Sequence, residues 1–256
     1  MASLIQAWQN FSPSHFPRLL AGDEALDADE ERIAKHRNYK DFIESLDFGS
    51  QSTKFHLNLL PQPFVGNLSQ ASIFILMLNP GFSPGDYYAL EKEPEYAAAI
   101  ERNLAQQNAA DSYPFFFLNP QFAWTAGGQW WRSKFRAIAE ELARRTNIPL
   151  QQAFQRISRH VACLEMYPYH SQGFKKPGFK LKSKELMCQY VKDVIVPRAQ
   201  SKEALIIAMR QAKAWALPKD SKNIISFGAV QARGAHLTLN EQGGGLAIVE
   251  RLQGLS

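Results

Sequence analysis

Residues 71–86, "ASIFILMLNPGFSPGD", set the frame for the rest of the chain. Ile73 to Leu78 is an almost unbroken apolar run, as expected of a strand covered on both faces in a parallel sheet. The run stops abruptly at Asn79-Pro80-Gly81, and Pro84-Gly85-Asp86 follows within three residues. A buried strand ending in these turn formers delivers polar groups to the carboxyl edge of a sheet, where α/β folds gather their ligands.

The pattern repeats downstream. "EPEYAAAIERNLAQQ" (93–107) reads as a helix, with Pro94 in its first turn and Tyr96, Ile100 and Leu104 spaced by four. Residues 112–131 are rich in aromatics, broken by Pro and Gly, and read as an irregular segment or hairpin. From Trp131 to Arg145, the positions Trp131, Phe135, Ile138 and Leu142 form one apolar face opposite Arg132, Arg136, Glu140 and Arg144. Val161 to Met166 gives a second strand with its own break at Pro168. Leu186, Tyr190 and Val194 mark a helix ending before Pro197. "EALIIAMR" (203–210) supplies a third strand, "QAKAWAL" a short helix and "KNIISFG" (222–228) a fourth strand. The expected fold is α/β, with a central four-stranded parallel sheet flanked by helices. Residues 1–60 read as an N-terminal helical extension without a sheet, and 61–256 as one compact α/β domain.

The 256 residues are 45% hydrophobic and 21% charged, an ordinary globular balance that argues against wholesale disorder. No apolar run approaches the roughly 20 residues that span a bilayer, and the N-terminus lacks a basic segment followed by an apolar one. The expectation is a soluble cytoplasmic monomer without membrane contact. Two cysteines, Cys163 and Cys188, are too few for a disulfide framework or a Cys-ligated cluster. The net charge of +5 hides an asymmetry: residues 1–128 carry 8 Lys/Arg against 15 Asp/Glu, residues 129–256 carry 21 against 9. A second half at net +12 points to a polyanion partner, nucleic acid before membrane.

The loop after Leu78 has too little glycine for a dinucleotide fingerprint and lacks the Gly-Lys-Ser/Thr of a phosphate loop. There is no Gly-x-Ser-x-Gly elbow and no His/Cys spacing suited to a metal, so neither cofactor nor metal is expected.

Taken in order, Pro-Phe-Val-Gly-Asn (63–67), a strand, Asn-Pro-Gly (79–81), a second strand ending in a polar position, the "LIIAMR" strand and a terminal strand with its loop resemble the uracil-DNA glycosylase superfamily, in its Asn-Pro-Gly branch. The resemblance covers roughly residues 64–242. It implies a monofunctional DNA glycosylase, which flips a nucleotide out of the stack and hydrolyses its N-glycosidic bond to leave an abasic site. It assigns to Asn79 the water that attacks the sugar C1′; an amide oxygen holds water but is a feeble base, so the site must stabilise the leaving base. Pro80, Gly81 and Ser83 are candidates for gripping the flipped sugar or its phosphate.

Two departures bear on substrate. Uracil-specific relatives carry Asp-Pro-Tyr, whose ring closes the pocket against groups on pyrimidine C5; the matching residue is Gly81. Glu165 stands where the family presents an Asn, and a carboxylate suits the exocyclic amine of cytosine better than uracil O4. The favoured substrate is therefore a C5-modified cytosine, such as the glucosylated hydroxymethylcytosine that a superfamily member removes from phage DNA in antiviral defence. The alternatives are a uracil- or mismatch-directed repair glycosylase and a non-catalytic module that holds modified DNA.

In "VQARGAHLTLN" (230–240), which occupies the place of the family's second motif, His236 is the candidate for stabilising charge on the departing base and Leu237 for the wedge, with Arg233 beside them. The family's His-Pro-Ser form is absent. Phe82 and Tyr169 are candidate stacking partners for the base. His170 and the lysines Lys175, Lys176 and Lys180 of "YPYHSQGFKKPGFKLKSK" (167–184), with Phe174 and Phe179 interleaved, are candidate DNA contacts.

Overall fold

The structure is a computed structural model that describes residues 3–219, 221–240 and 242–254. The chain divides into two compact units. One comprises Met1–Phe64, Leu78–Gln107 and Glu165–Tyr190; the other comprises Val65–Met77, Asn108–Leu164 and Val191–Ser256.

Seven strands are described: β1 (Ile33–Ala34), β2 (Phe55–His56), β3 (Phe64–Val65), β4 (Ile73–Met77), β5 (Val161–Glu165), β6 (Leu205–Ala208) and β7 (Ile224–Ser226). They form a mixed α/β architecture with two small sheets, β1-β2 and β3-β5-β4-β6-β7. In the larger sheet β4 pairs parallel with β6, Ile73 opposite Leu205, and β6 pairs parallel with β7, Ile206 opposite Ile224. The apolar run that opens the sequence reading is the central strand, and Ile73 to Leu76 are wholly buried.

Four points of the sequence reading are corrected. The larger sheet has five strands, because Phe64–Val65 of the Pro-Phe-Val-Gly-Asn segment adds a two-residue edge too short to leave a periodic trace. Residues 1–60 are not purely helical: β1 and β2 pair in parallel, Ile33 opposite Phe55, between the short helices Leu4–Gln9 and Tyr39–Ile43. "QAKAWAL" forms turns instead of a helix, with Ala216 at a positive φ of 51° that a helix does not accommodate. Helical structure also continues through Pro197 to Gln200, because Val191–Ile195 wind as a π turn, the wider geometry that relieves a proline's clash with the preceding turn.

In the second unit the long helix Ala126–Thr146 carries the packing. Thr125 caps its start, Oγ1 accepting from Gly128 N at 3.0 Å, and Asn147 ends it in the left-handed conformation. Trp131, Phe135, Ile138 and Leu142 are buried, as their spacing predicts. It packs on the helices Leu150–His160 and Gly245–Gln253, neither of which the sequence reading assigns. The aromatic segment before it is irregular, with two 3₁₀ turns at Phe116–Leu118 and Pro120–Phe122.

In the first unit the helices Pro84–Lys92, Pro94–Leu104 and Lys182–Tyr190 accompany the β1-β2 pair. Its aromatic core is Phe42, Leu59 and Tyr87, with Tyr39, Phe82 and Leu90 packed against them.

Gly66 follows the edge strand at φ 105°, and a Cβ there would meet Val161 O at 2.5 Å. Both the backbone angle and the close approach exclude a side chain. Gly66→Ala should cost about 3 kcal/mol or more; an unchanged urea midpoint would show that the strand end relaxes around a methyl group.

Candidate functional site

The chain leaves β4 through Leu78, whose carbonyl accepts from Tyr167 N at 2.9 Å. Asn79 follows, half-buried, and its side chain is fixed by three acceptors. Nδ2 lies 2.9 Å from Pro80 O, 2.9 Å from Ser171 Oγ and 3.4 Å from Tyr169 O. Two of these partners are carbonyls that only accept, so the NH₂ must face them and Oδ1 turns the other way. Among the described residues Oδ1 receives no hydrogen bond, which leaves it to a ligand or water.

The Asn-Pro-Gly turn is held from the other side by the segment after β5. Ser171 N donates to Pro80 O at 3.3 Å, and His170 Nδ1 lies 2.8 Å from Gly81 O. His170 Nε2 lies 3.1 Å from Leu60 O, so both ring nitrogens face carbonyl oxygens. A neutral imidazole donates through one nitrogen only; the doubly protonated ring donates to both. Tyr169 anchors the same segment at depth: its hydroxyl donates to Asp23 Oδ2 at 2.6 Å and accepts from Leu20 N at 3.1 Å. Asp23 Oδ1 in turn accepts from Ser183 N at 3.1 Å, and burial raises this carboxyl above its usual range against the pull of those donors.

Beyond the turn, the Phe82 ring lies flat on His56, centroids 3.6 Å apart with 13° between the planes. Phe42 meets Phe82 edge-on at 5.3 Å and stacks on Tyr87 at 5.3 Å. His56 Nδ1 is 3.1 Å from the Tyr87 hydroxyl. Burial holds the His56 imidazole far below its ordinary range, at about 3, and His170 and His36 push the same way. Burial likewise raises the Tyr87 phenol and the Asp86 carboxyl, with His170 opposing the latter shift.

The first unit contains Asn79, Pro80, Gly81, Phe82, Ser83, Glu165, Tyr169, His170 and the lysines, and the bonds above join Asn79, Pro80 and Gly81 to the segment Tyr169–Ser171. Gly81 is exposed, its φ is ordinary, and a Cβ there would meet nothing within 4 Å. Nothing within the fold requires glycine at that position. Ser83 starts the helix Pro84–Lys92 and its N–H donates to Asp86 Oδ2 at 2.7 Å, so this amide is already used. Glu165 ends β5 and is buried, its N–H donating to Pro63 O at 2.8 Å. Lys175, Lys176 and Lys180 are all solvent-accessible.

Three expectations meet buried side chains. Tyr169 is 1% exposed and tied to Asp23, so its ring offers no face to a base; Phe82 remains half-buried, with one face on His56. His170 is occupied at both nitrogens by backbone carbonyls and offers none to a phosphate. Leu237 is 5% exposed, packed as core and not presented as a wedge.

Arg233, His236 and Leu237 belong to the second unit, where Arg233 and His236 are exposed. There the structure adds a residue that the sequence reading misses. Lys134, 8% exposed, donates through Nζ to Gly234 O at 3.0 Å and stands 3.2 Å from His236 Nδ1. An ammonium only donates, so Nδ1 accepts and the ring carries its hydrogen on Nε2. Burial lowers the Lys134 ammonium's pKa, and Arg210 adds to the shift. The signal is present in sequence: Lys134 lies three residues after Trp131 and four before Ile138, on the edge of the apolar face.

Among the described residues no group of three or more His, Cys, Asp or Glu side chains is arranged to hold a metal ion, and no helix is long and apolar enough to cross a membrane.

The buried neutral His56 makes the first unit acid-sensitive. An unfolded chain takes up a proton at this residue near pH 6.5, the folded one only near 3, so acidification between these values favours unfolding. The loss should reach about 3 kcal/mol by pH 4.5. His56→Phe should flatten the stability profile in urea titrations between pH 4.5 and 6.5; an unchanged slope would assign the acid sensitivity to other groups.

No protein-family model, curated protein or solved structure matches this chain.

Proposed function

We propose that the protein is a DNA glycosylase that removes a C5-modified cytosine, with glucosylated hydroxymethylcytosine in phage DNA as the favoured substrate. The observation that carries this reading is the Asn79 amide, pinned through Nδ2 by Pro80 O, Tyr169 O and Ser171 Oγ so that Oδ1 is left to a water. In the reaction that water attacks C1′ of the flipped nucleotide, the C1′–N1 bond breaks, and the electron pair leaves with the base. Oδ1 orients the water by accepting a hydrogen bond from it, and the proton the water sheds passes through solvent to the departing base, so that the products are the C1′ hydroxyl of the abasic sugar and the neutral free base. A fixed acceptor is worth more than a mobile one because no reorganisation is needed at the moment of reaction.

Gly81 supports the substrate class. Its exposure, ordinary φ and open surroundings leave room beside Asn79 that a side chain would fill. Glu165 is the proposed acceptor for the exocyclic amine of cytosine. The solvent-accessible Lys175, Lys176 and Lys180 suit the phosphate backbone, and binding through them should weaken steeply with salt.

The test is incubation with oligonucleotides bearing uracil, cytosine, hydroxymethylcytosine or glucosylated hydroxymethylcytosine, followed by alkaline cleavage and mass analysis of the released base. Opening of uracil DNA with every modified cytosine ignored would overturn the substrate assignment. Binding without any release would leave a non-catalytic module. Asn79→Ala should reduce base release about 100-fold or more while DNA affinity stays within about twofold. Gly81→Tyr should fold normally and lose excision of the bulky base selectively; a variant as active as the parent on glucosylated DNA would refute the role of pocket width.

A further inference from the structure

The first unit carries an apolar tip that the site described above does not use. Leu46 is 99% exposed and Phe48 50% exposed, on the turn after the helix Tyr39–Ile43. An isolated surface leucine needs no explanation, but this one stands on a braced turn. Ser45 Oγ donates to Phe42 O at 2.7 Å and accepts from Asp47 N at 3.2 Å, and Ser50 Oγ donates to Asp47 O at 2.8 Å. The Asp47 carboxylate is held from both sides, by His36 Nε2 at 2.9 Å and Lys54 Nζ at 3.0 Å. These bonds brace the turn, and Leu46 within it stays almost wholly exposed.

Its surroundings say what it meets. Phe48 packs edge-on against Phe42 at 5.7 Å, and Phe42 against Phe82 at 5.3 Å, so two ring contacts connect the tip to the loop that follows Asn79. On its other side the segment is tied to the lysine loop: Gly173 N donates to Ser52 O at 2.9 Å, Ser52 N to Gln172 Oε1 at 3.4 Å, and Arg32 Nη1 to Lys176 O at 3.1 Å. That loop presents Lys175, Lys176 and Lys180 to solvent. The nearby acids are partly neutralised within the segment, Asp47 by Lys54 and Glu44 by Lys40 at 3.9 Å; Asp41 accepts from Arg37 N.

A narrow branched apolar tip on a braced turn, in a segment whose Ser52 is hydrogen-bonded to the loop that carries the solvent-accessible lysines, fits a nucleic-acid duplex better than a protein surface. A protein interface of useful size needs a broad apolar patch. A duplex needs a small wedge to separate adjacent stacked bases and cations for the phosphates on either side. We propose that Leu46, backed by Phe48, is the wedge that enters the DNA base stack and holds it open. This assignment rests on the reading that the chain binds DNA and extrudes a base; it replaces Leu237, whose side chain is packed away.

The experiment uses a duplex carrying 2-aminopurine beside a hydroxymethylcytosine, with binding read by anisotropy in the same sample and a single strand of the same sequence as control. The full chain should raise 2-aminopurine fluorescence severalfold on the bound duplex. Leu46→Ala, a change at a fully exposed position that leaves the core untouched, should remove most of that rise. Its single-strand binding should stay within about twofold, because no stack has to be opened there. Where base release is measured, the same variant should lose about tenfold or more on duplex and little on single-stranded substrate.

Duplex binding without a fluorescence rise, or a rise that Leu46→Ala leaves intact, overturns the wedge but not the DNA reading. Absence of binding to any DNA overturns both. Self-association of the parent chain that Leu46→Ala abolishes, with the DNA response unchanged, assigns the tip to a second copy of the chain instead.

Discussion

Asn79 Nδ2 on Ser171 Oγ, Ser171 N on Pro80 O and the His170 ring on Gly81 O are the bonds on which the candidate site depends. Together they fasten one short turn to one short segment after β5, and each uses polar groups that burial would otherwise leave unmet. The clamp explains several local choices at once. Asn79 cannot present its NH₂ outward, because that side is consumed. His170 cannot turn a ring nitrogen toward a phosphate, because both nitrogens face backbone carbonyls. Tyr169 must go inward, because the chain direction that aims His170 at Gly81 sends its neighbour toward Asp23.

The clamp is backed by groups whose charge states the fold dictates. His56 is buried against Phe82 and stays neutral over most of the pH range, so its stacking face is that of an uncharged ring. Asp23 is buried on the far side of Tyr169, accepts two hydrogen bonds and has a raised pKa. In the second unit, the buried Lys134 ammonium fixes the hydrogen of His236 on Nε2. In each case a polar group is taken out of water and then given a partner, and the pairing sets the orientation of a neighbouring side chain.

The unit that carries Asn79 is assembled from three stretches of chain far apart in sequence, and the N-terminal one contributes more than a cover. Its strand pair supplies His56 and its loop supplies Leu60 O, the second acceptor for His170. Its turn at residues 44–50 holds the exposed Leu46 and Phe48. Reading residues 1–60 as an accessory extension therefore leaves out some of the site's own framework.

Sequence alone determined the elements whose packing repeats at short period. The continuous apolar run of Ile73 to Leu78 marks the central strand, the four-residue spacing after Trp131 marks the long helix, and Asn79-Pro80-Gly81 marks where the central strand must stop. These are legible because burial on both faces or on one stripe constrains every residue of the segment. Tertiary structure alone decided the two-residue strands Ile33–Ala34, Phe55–His56 and Phe64–Val65, which are too short for a period and exist only through partners elsewhere in the chain. It also decided which candidate residues turn inward: Tyr169, His170 and Leu237 look alike in sequence to residues that bind, yet are buried. Lys134 and Leu46 show the converse, one charge drawn inward and one leucine left outside. Side-chain direction at Tyr169 and His170 follows from hydrogen bonds between segments distant along the chain, which no local pattern of residue types encodes.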